Sequence, residues 1–324
     1  MLKLTPDFRR PLQDGGEIEI MVRRASTILA VGLLLFLCAA QADDVVTVVV
    51  NNAAFGNGPI QSWQLDLTTG TTTAAGSFVP FGAVPGGPNG AGPNGRGIAV
   101  TNTQFYYTEL SGSGFGPTLN IETGAYNGGA GSPVDNGGFA NPLPGKGISD
   151  LHFGAAGLYA LAGYPNQGPE VALFDPTSGT LIGSPVTIAT DPAADGFTIL
   201  SNGNYLINRG DAVNSYDQYD PTTGARIAGT NISAGGCGSS TGVDTDGTHL
   251  FFDCNFNSIA ETDMNGTLIN LFTEPGGFGQ GENLSLVENF NPPPPNSVPE
   301  PSTFPLVGAF MAGVVFLVRR RVIS

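Results

Sequence analysis

Two histidines, three cysteines and a few clustered carboxylates are what this chain of 324 residues offers to general chemistry. His152 and His249 stand in separate alternating runs. A pair of imidazoles meeting at the centre of a fold would suit a lyase or a metal, but histidines this isolated are expected to be packed or surface residues. Asp244-Thr245-Asp246-Gly247 has the opening of a calcium loop without the later ligands and closing glutamate of an EF-hand, so a hairpin turn is expected there. Arg209-Gly210-Asp211 is the integrin tripeptide, too short to weigh. No serine stands in a nucleophile elbow, and no glycine-rich loop in a phosphate cradle. No catalytic residue, metal ligand or cofactor follows. Trp63, the sole tryptophan, is expected to pack at a strand start.

The charge balance narrows the partners. Between Asp43 and Phe290 only Arg96, Lys146, Arg209 and Arg226 are basic, against 22 acidic residues, so this body carries about −18. Nucleic acid and anionic lipid need Lys/Arg patches, which are lacking. Gly, Asn, Thr and Ser supply the polar surface, as suits an extracellular protein that meets glycans or cations, or a neutral secreted scaffold.

A repeat organises the body. Leu65-Asp66-Leu67-Thr68-Thr69-Gly70 is echoed at Leu119–Gly124, at Phe174-Asp175-Pro176-Thr177-Ser178-Gly179, at Tyr219-Asp220-Pro221-Thr222-Thr223-Gly224 and more loosely at Thr262–Gly266. Asp accepts hydrogen bonds from turn amides, Pro presets φ and Gly takes the left-handed conformation, so each echo reads as a strand entering a tight turn. The glycines are 54, 55, 45 and 42 residues apart. Further strands open at Gly97, Gly147, Gly196 and Gly242, each leading to an aromatic-rich partner such as Phe105-Tyr106-Tyr107 or Leu250-Phe251-Phe252. Four short strands per unit, a to d, predict an all-β five-bladed β-propeller, with six blades as the alternative count and a decorated β-sandwich as the competing architecture.

The chain begins this pattern in a b-strand, Val45–Val50, and ends it in a lone a-strand, Asn283–Val287. Pairing the two would complete the first unit from both ends and remove exposed strand edges. The phasing also puts Cys237, in a d-to-a loop, and Cys254, at the end of the next b-strand, on one face. A Cys237–Cys254 disulfide is expected. Residues 80–95 and 126–145 are Gly/Pro/Asn-rich and are read as d-to-a loops on that same face. Phe78, Phe81, Tyr126 and Phe139 are candidates there for stacking on sugars or partner side chains; the plainer expectation is low-complexity loops with an aromatic or two tucked into the scaffold.

The two ends read as addresses. Met21-Val22-Arg23-Arg24, the apolar run 28–40 and Ala40-Gln41-Ala42 form a signal peptide with cleavage before Asp43; residues 1–20 do not fit one, and Met21 is the expected start. At the other end, Asn291–Asn296 is a Pro-rich spacer. Val298-Pro299-Glu300-Pro301-Ser302 follows, then an uncharged run from Phe304 to Val318, then Arg319-Arg320-Arg321. Fifteen helical residues span about 22 Å, short of a hydrocarbon core of about 30 Å, with the arginines held on the cytoplasmic side. An ordinary C-terminal membrane anchor is the bland alternative.

That order of box, apolar helix and basic cluster resembles the PEP-CTERM sorting signal of exported bacterial proteins. The resemblance covers under a tenth of the chain. It implies export through the Sec translocon, a membrane-tethered intermediate, cutting near the Pro-Glu-Pro box by exosortase, and association with extracellular polysaccharide. The expected function is a non-enzymatic structural or binding module of the cell surface or exopolysaccharide matrix. The alternatives are a propeller-scaffold lyase or hydrolase acting on polysaccharide or lactone, and a calcium-stabilised adhesin.

Overall fold

Four Asp-led turns set the local geometry. The Oδ1 atoms of Asp66, Asp175, Asp220 and Asp263 each accept two backbone N–H groups from the residues that follow, at 2.8–3.0 Å. These bonds hold all four carboxyls below the usual carboxylate range. The glycine closing each turn has φ between +66° and +83°.

The computed structural model describes residues 45–51, 60–78, 96–110, 117–128, 138–164, 166–190, 193–254, 258–273 and 283–288. These form nineteen strands and no helix. The first group is β1 (Val45–Asn51), β2 (Ile60–Asp66) and β3 (Thr71–Phe78). The second is β4 (Ile98–Thr101), β5 (Gln104–Leu110), β6 (Thr118–Ala125) and β7 (Phe139–Ala140). The third is β8 (Gly147–Gly154), β9 (Gly157–Tyr164), β10 (Glu170–Phe174) and β11 (Val186–Thr187). The fourth is β12 (Phe197–Ile199), β13 (Tyr205–Asn208) and β14 (Tyr216–Tyr219). The fifth is β15 (Gly242–Thr245), β16 (His249–Cys254), β17 (Ser258–Asp263) and β18 (Leu268–Thr273), and the chain returns with β19 (Asn283–Glu288).

Each group is an antiparallel meander, and β19 lies beside β1 with Val48 opposite Leu286 and Asn51 opposite Asn283. The last strand thus completes the first sheet, as the sequence phasing anticipates. β19 also makes a short parallel pairing with β4, Val287 opposite Val100, so the first two groups join into one eight-stranded sheet.

The core lies between sheets, in five clusters. Val48, Val50, Trp63 and Leu65 meet Phe251, Ile259 and Phe272, while Val49 and Ile60, pointing the other way, meet Ile98, Phe105 and Tyr107. The remaining clusters join the second group to the third, the third to the fourth and the fourth to the fifth. The innermost strands likewise neighbour one another in a closed cycle, β4 to β8 to β12 to β15 to β19 and back to β4. Such strands are covered on both faces, which is why β4, β8 and β15 are buried along nearly their whole length instead of alternating. The fold is all-β and propeller-like.

The second unit departs from the sequence reading. Leu119–Gly124 is not a turn: these residues lie within β6 and pair with β5 as far as Gln104 opposite Ala125. Asn120 stands where the other units have Asp, and the extended pairing with β5 runs straight through the expected turn. The insert after Tyr126 therefore joins the third strand of this unit to its fourth, β7, and is not a d-to-a loop. The true d-to-a connection is the short 141–146 segment, organised by Asn141, whose Nδ2 donates to the carbonyls of Thr118, Leu143 and Lys146. In the fourth unit the outer strand is reduced to the bridges Tyr216–Ile232 and Tyr219–Arg226.

Candidate functional site

The strand cycle brings polar side chains to its axis. Asp150 on β8 accepts from the Phe197 N–H of β12 at 2.7 Å. Thr198 on β12 donates to Asp244 Oδ1 of β15 at 2.9 Å. Asp244 Oδ2 accepts from the Leu286 N–H of β19 at 2.8 Å, and Ser285 Oγ accepts from the Val100 N–H of β4 at 3.1 Å. The bonds run in one direction around the axis, each strand reaching to the next. Among the described residues, the apolar Ile98-Ala99-Val100 of β4 receives at the axis without giving. Asn283 Nδ2 reaches across to the Ser149 carbonyl at 3.4 Å.

These groups are buried: Thr198 and Asn283 fully, Asp150, Asp244 and Ser285 to within a few per cent. Burial pushes the Asp150 carboxyl well above the usual range, opposed by the N–H groups of Phe197 and Leu151 and the Asn283 side chain, while the nearby Asp244 charge adds to the rise. His152, two residues beyond Asp150, places Nδ1 at 3.3 Å from Asp244 Oδ1 and 3.4 Å from Thr198 Oγ1, with Phe197 edge-on to its ring. A carboxylate–imidazole pair is a general acid–base element where substrate can reach it. Here the carboxylates hold backbone N–H groups of adjoining strands, which is the work of a staple.

A second polar cluster ties three sheets together at the end where the Cys237–Cys254 bridge lies. Arg96, just before β4, is buried and lies 4.0 Å above the Tyr164 ring, with Nη2 3.4 Å from Asp211 and 3.7 Å from Asp195. The Tyr164 hydroxyl donates to Asp211 Oδ2 at 3.0 Å. Asp195 is fully buried and accepts from the Asn208 side chain and, at 3.2 Å, from the Ala212 N–H. Burial and its bond with the Asp211 side chain push the Asp195 carboxyl well up, against the pull of Arg96. Ala212 has φ +52°, the left-handed region that alanine rarely adopts. An elevated carboxyl beside a half-exposed carboxylate and a guanidinium can exchange protons, so this is where acid–base chemistry would sit.

The residues singled out in the sequence fall as follows. Cys237 and Cys254 form the disulfide, Cα–Cα 5.1 Å. Asp244 and Asp246 do not share a site: Asp244 points to the axis, whereas Asp246 Oδ1 caps its own turn through the Thr248 and His249 N–H groups. His249 sits apart from His152, with Nδ1 3.2 Å from Asp246 and 3.6 Å from Glu261. Arg209 and Asp211 diverge, the first to Asp217 and the second to Arg96 and Tyr164. Tyr126 is buried with its hydroxyl 2.9 Å from Ser62 Oγ, and Phe139 packs on the core between the second and third sheets, so both are scaffold. Phe78 ends β3, and Phe81 lies outside the described residues, as do the signal peptide with Ala40, Ala42 and Asp43, the spacer, and the tail with Val298, Pro299, Glu300, Pro301, Ser302 and Arg319–Arg321. Among the described residues no helix is long and apolar enough to cross a membrane.

Sequence reasoning missed Arg96, Tyr164, Asp195 and the axial role of Asp150. A signal was present: Arg96 and Asp195 each stand immediately before the glycine that opens an inner strand, a position that the repeat brings to the ring's end.

No family model matches the chain, and no curated protein matches it. Among solved structures it is similar to a protein of unknown function from Bacteroides caccae, at 12% identity and TM-score 0.43, over 75% of this chain and 98% of that one. It is similar also to AztD from Citrobacter koseri, at 16% identity and TM-score 0.31, over 76% and 60% of the two chains. The WD40 domain of Neurospora crassa Pan2 matches at 13% identity and TM-score 0.37, over 57% and 51%. At these values the likeness concerns the course of the backbone alone.

Proposed function

We propose that this is an exported five-bladed β-propeller, delivered by the Sec translocon and trimmed by exosortase, that serves as a non-enzymatic structural or binding module of the cell surface or exopolysaccharide matrix. The observation that carries the non-enzymatic reading is the axial ring. Asp150 and Asp244, the carboxylates that lie at the axis, are committed to holding adjoining strands together. Five inter-sheet clusters in a cycle support the blade count. The disulfide supports passage into an oxidising compartment. The Pro-Glu-Pro box and basic cluster support the sorting route.

Mass spectrometry of the native protein, together with a matrix pull-down, tests this reading. The expected species begins at Asp43, lacks Arg319–Arg321 and is retained by the producing strain's polysaccharide. Recovery of surface protein with the tail intact would overturn the sorting route.

One observation favours a second reading, a propeller-scaffold lyase or hydrolase: the Asp195–Asp211–Arg96–Tyr164 cluster. On that reading polysaccharide or lactone turnover should be measurable and lost in Asp195→Asn with the fold intact.

A further inference from the structure

We propose that a pocket between the third and fourth sheets, built on Arg209 and Arg226, is a binding site for an oxyanion carried on a sugar, a uronate carboxylate or a sulfate ester. The pocket is an open one of about 230 Å³, lined by Ala189, Thr190, Arg209, Asp217, Tyr219 and Arg226. Ala189 and Thr190 come from the segment after β11, Arg209 follows β13, Asp217 and Tyr219 lie on β14, and Arg226 is bridged to Tyr219.

The charge count is the first argument. The body holds four basic residues against 22 acidic ones, and two of the four converge here. A structural ion pair needs one cation, and Arg209 alone satisfies Asp217, with Nε and Nη2 donating to Oδ2 and Oδ1 at 2.6 and 2.9 Å. Arg226 adds its Nε to the same Oδ2 at 2.9 Å. Burial tends to raise the Asp217 carboxyl, but the two guanidiniums outweigh it and hold the group below the usual range. Among the described residues, the lining carries two positive charges against one negative.

Geometry is the second. Asp217 is 1% exposed and lies behind the guanidiniums, whereas the Arg209 and Arg226 side chains are 39% and 49% exposed. Among the described residues, one edge of the Arg209 guanidinium is fixed on Asp217, and Arg226 meets the same carboxylate through Nε. Both Nη groups of Arg226 and Nη1 of Arg209 remain to donate. One planar fork on Arg226 and a further donor on Arg209, both anchored by Asp217, are a preorganised arrangement for a carboxylate or sulfate. Tyr219 also lines the pocket, and a volume of about 230 Å³ exceeds what a bare ion needs. The oxyanion site stands on these observations alone; that the anion is borne by a polysaccharide rests on the extracellular reading above.

The test is calorimetric or NMR titration of the full mature chain with glucuronate, inorganic sulfate and glucose. Glucuronate is expected to bind with Kd on the order of millimolar, as suits two exposed charge-assisted contacts. Glucose, which lacks the carboxylate, should not bind. Arg226→Gln leaves the Arg209–Asp217 pair in place and should lose roughly tenfold in affinity with the fold retained. Arg226→Lys, which keeps charge but not the fork, should recover only part of it. Equal binding of glucose and glucuronate, no anion binding at all, or unchanged affinity in Arg226→Gln would each overturn the site. If glucuronate and sulfate bind but acidic oligosaccharides bind no tighter than the free anions, the pocket survives and its assignment to matrix polysaccharide is overturned.

Discussion

Replacing Asp244 by alanine should be among the most damaging single substitutions in this protein. Its carboxylate accepts from the Leu286 N–H at 2.8 Å, the Thr198 hydroxyl at 2.9 Å and the Thr245 N–H at 2.8 Å, and His152 lies 3.3 Å away. Leu286 and Thr198 are buried and belong to the strands on either side, so neither gains water when the acceptor goes. Each stranded buried donor costs about 1–3 kcal/mol, and with a smaller loss at Thr245 the total is about 3–5 kcal/mol. Asp244→Asn keeps one acceptor oxygen and should lose about half as much. Ser285→Ala strands the Val100 N–H, removes the hydroxyl's bond to the Leu286 carbonyl, and should cost about 1–2 kcal/mol. Urea unfolding followed by tryptophan fluorescence measures all three, since Trp63 packs in the cluster joining the fifth sheet to the first. The Asp244→Ala midpoint should fall by about 1–2 M with an unchanged slope. A midpoint at the wild-type value, or one no lower than that of Ser285→Ala, would refute the idea that the axial side chains staple the ring.

Other consequences follow from the same packing. Reduction of Cys237–Cys254, which are 17 residues apart, should lower stability by roughly 3 kcal/mol, read as a drop in melting temperature with dithiothreitol. Gly224→Ala, where a Cβ would strike the Thr187 carbonyl oxygen, should destabilise by about 2 kcal/mol or more beyond Gly203→Ala, which has a similar positive φ but open space around it. The pH dependence has two limbs. The lowered carboxyls of Asp66, Asp175, Asp217, Asp220 and Asp263 contribute stability above the unfolded value of about 3.9, lost as pH falls through their folded values. The raised carboxyls of Asp150 and Asp195 act oppositely, with stability falling as pH rises through their folded values. The urea midpoint should therefore peak on the mildly acidic side; a steady rise from pH 5 to pH 9 would contradict this.

The sequence made the hairpin turns legible because their chemistry is local: Asp175-Pro176 and Asp220-Pro221 carry their own acceptor, preset φ and closing glycine. The Val45–Val50 and Asn283–Val287 runs revealed their pairing because each was an orphan in the repeat. The second unit was misread for the converse reason. Asn120 and Gly124 imitate the turn in composition, yet β5 offers pairing partners through Gln104 and draws them into a strand. The polar groups that matter most were hidden. Asp150 and Asp195 look like any surface aspartate, and Asp244 like a turn residue, until the ring brings strands from distant parts of the chain against them. No spacing in the chain announces that Arg209 and Arg226 meet, because it is Asp217 that brings them together.

The central claim is that the first and last strands share a sheet and close the ring. Hydrogen exchange at the Leu284 to Val287 amides tests it most directly. If β19 is locked between β1, β4 and β15, these amides exchange only through global unfolding, at the rate of Val48 and Val50 in β1. Exchange within seconds at 284–287, while β1 stays protected, would mean that the strand is a loose end and the ring is open.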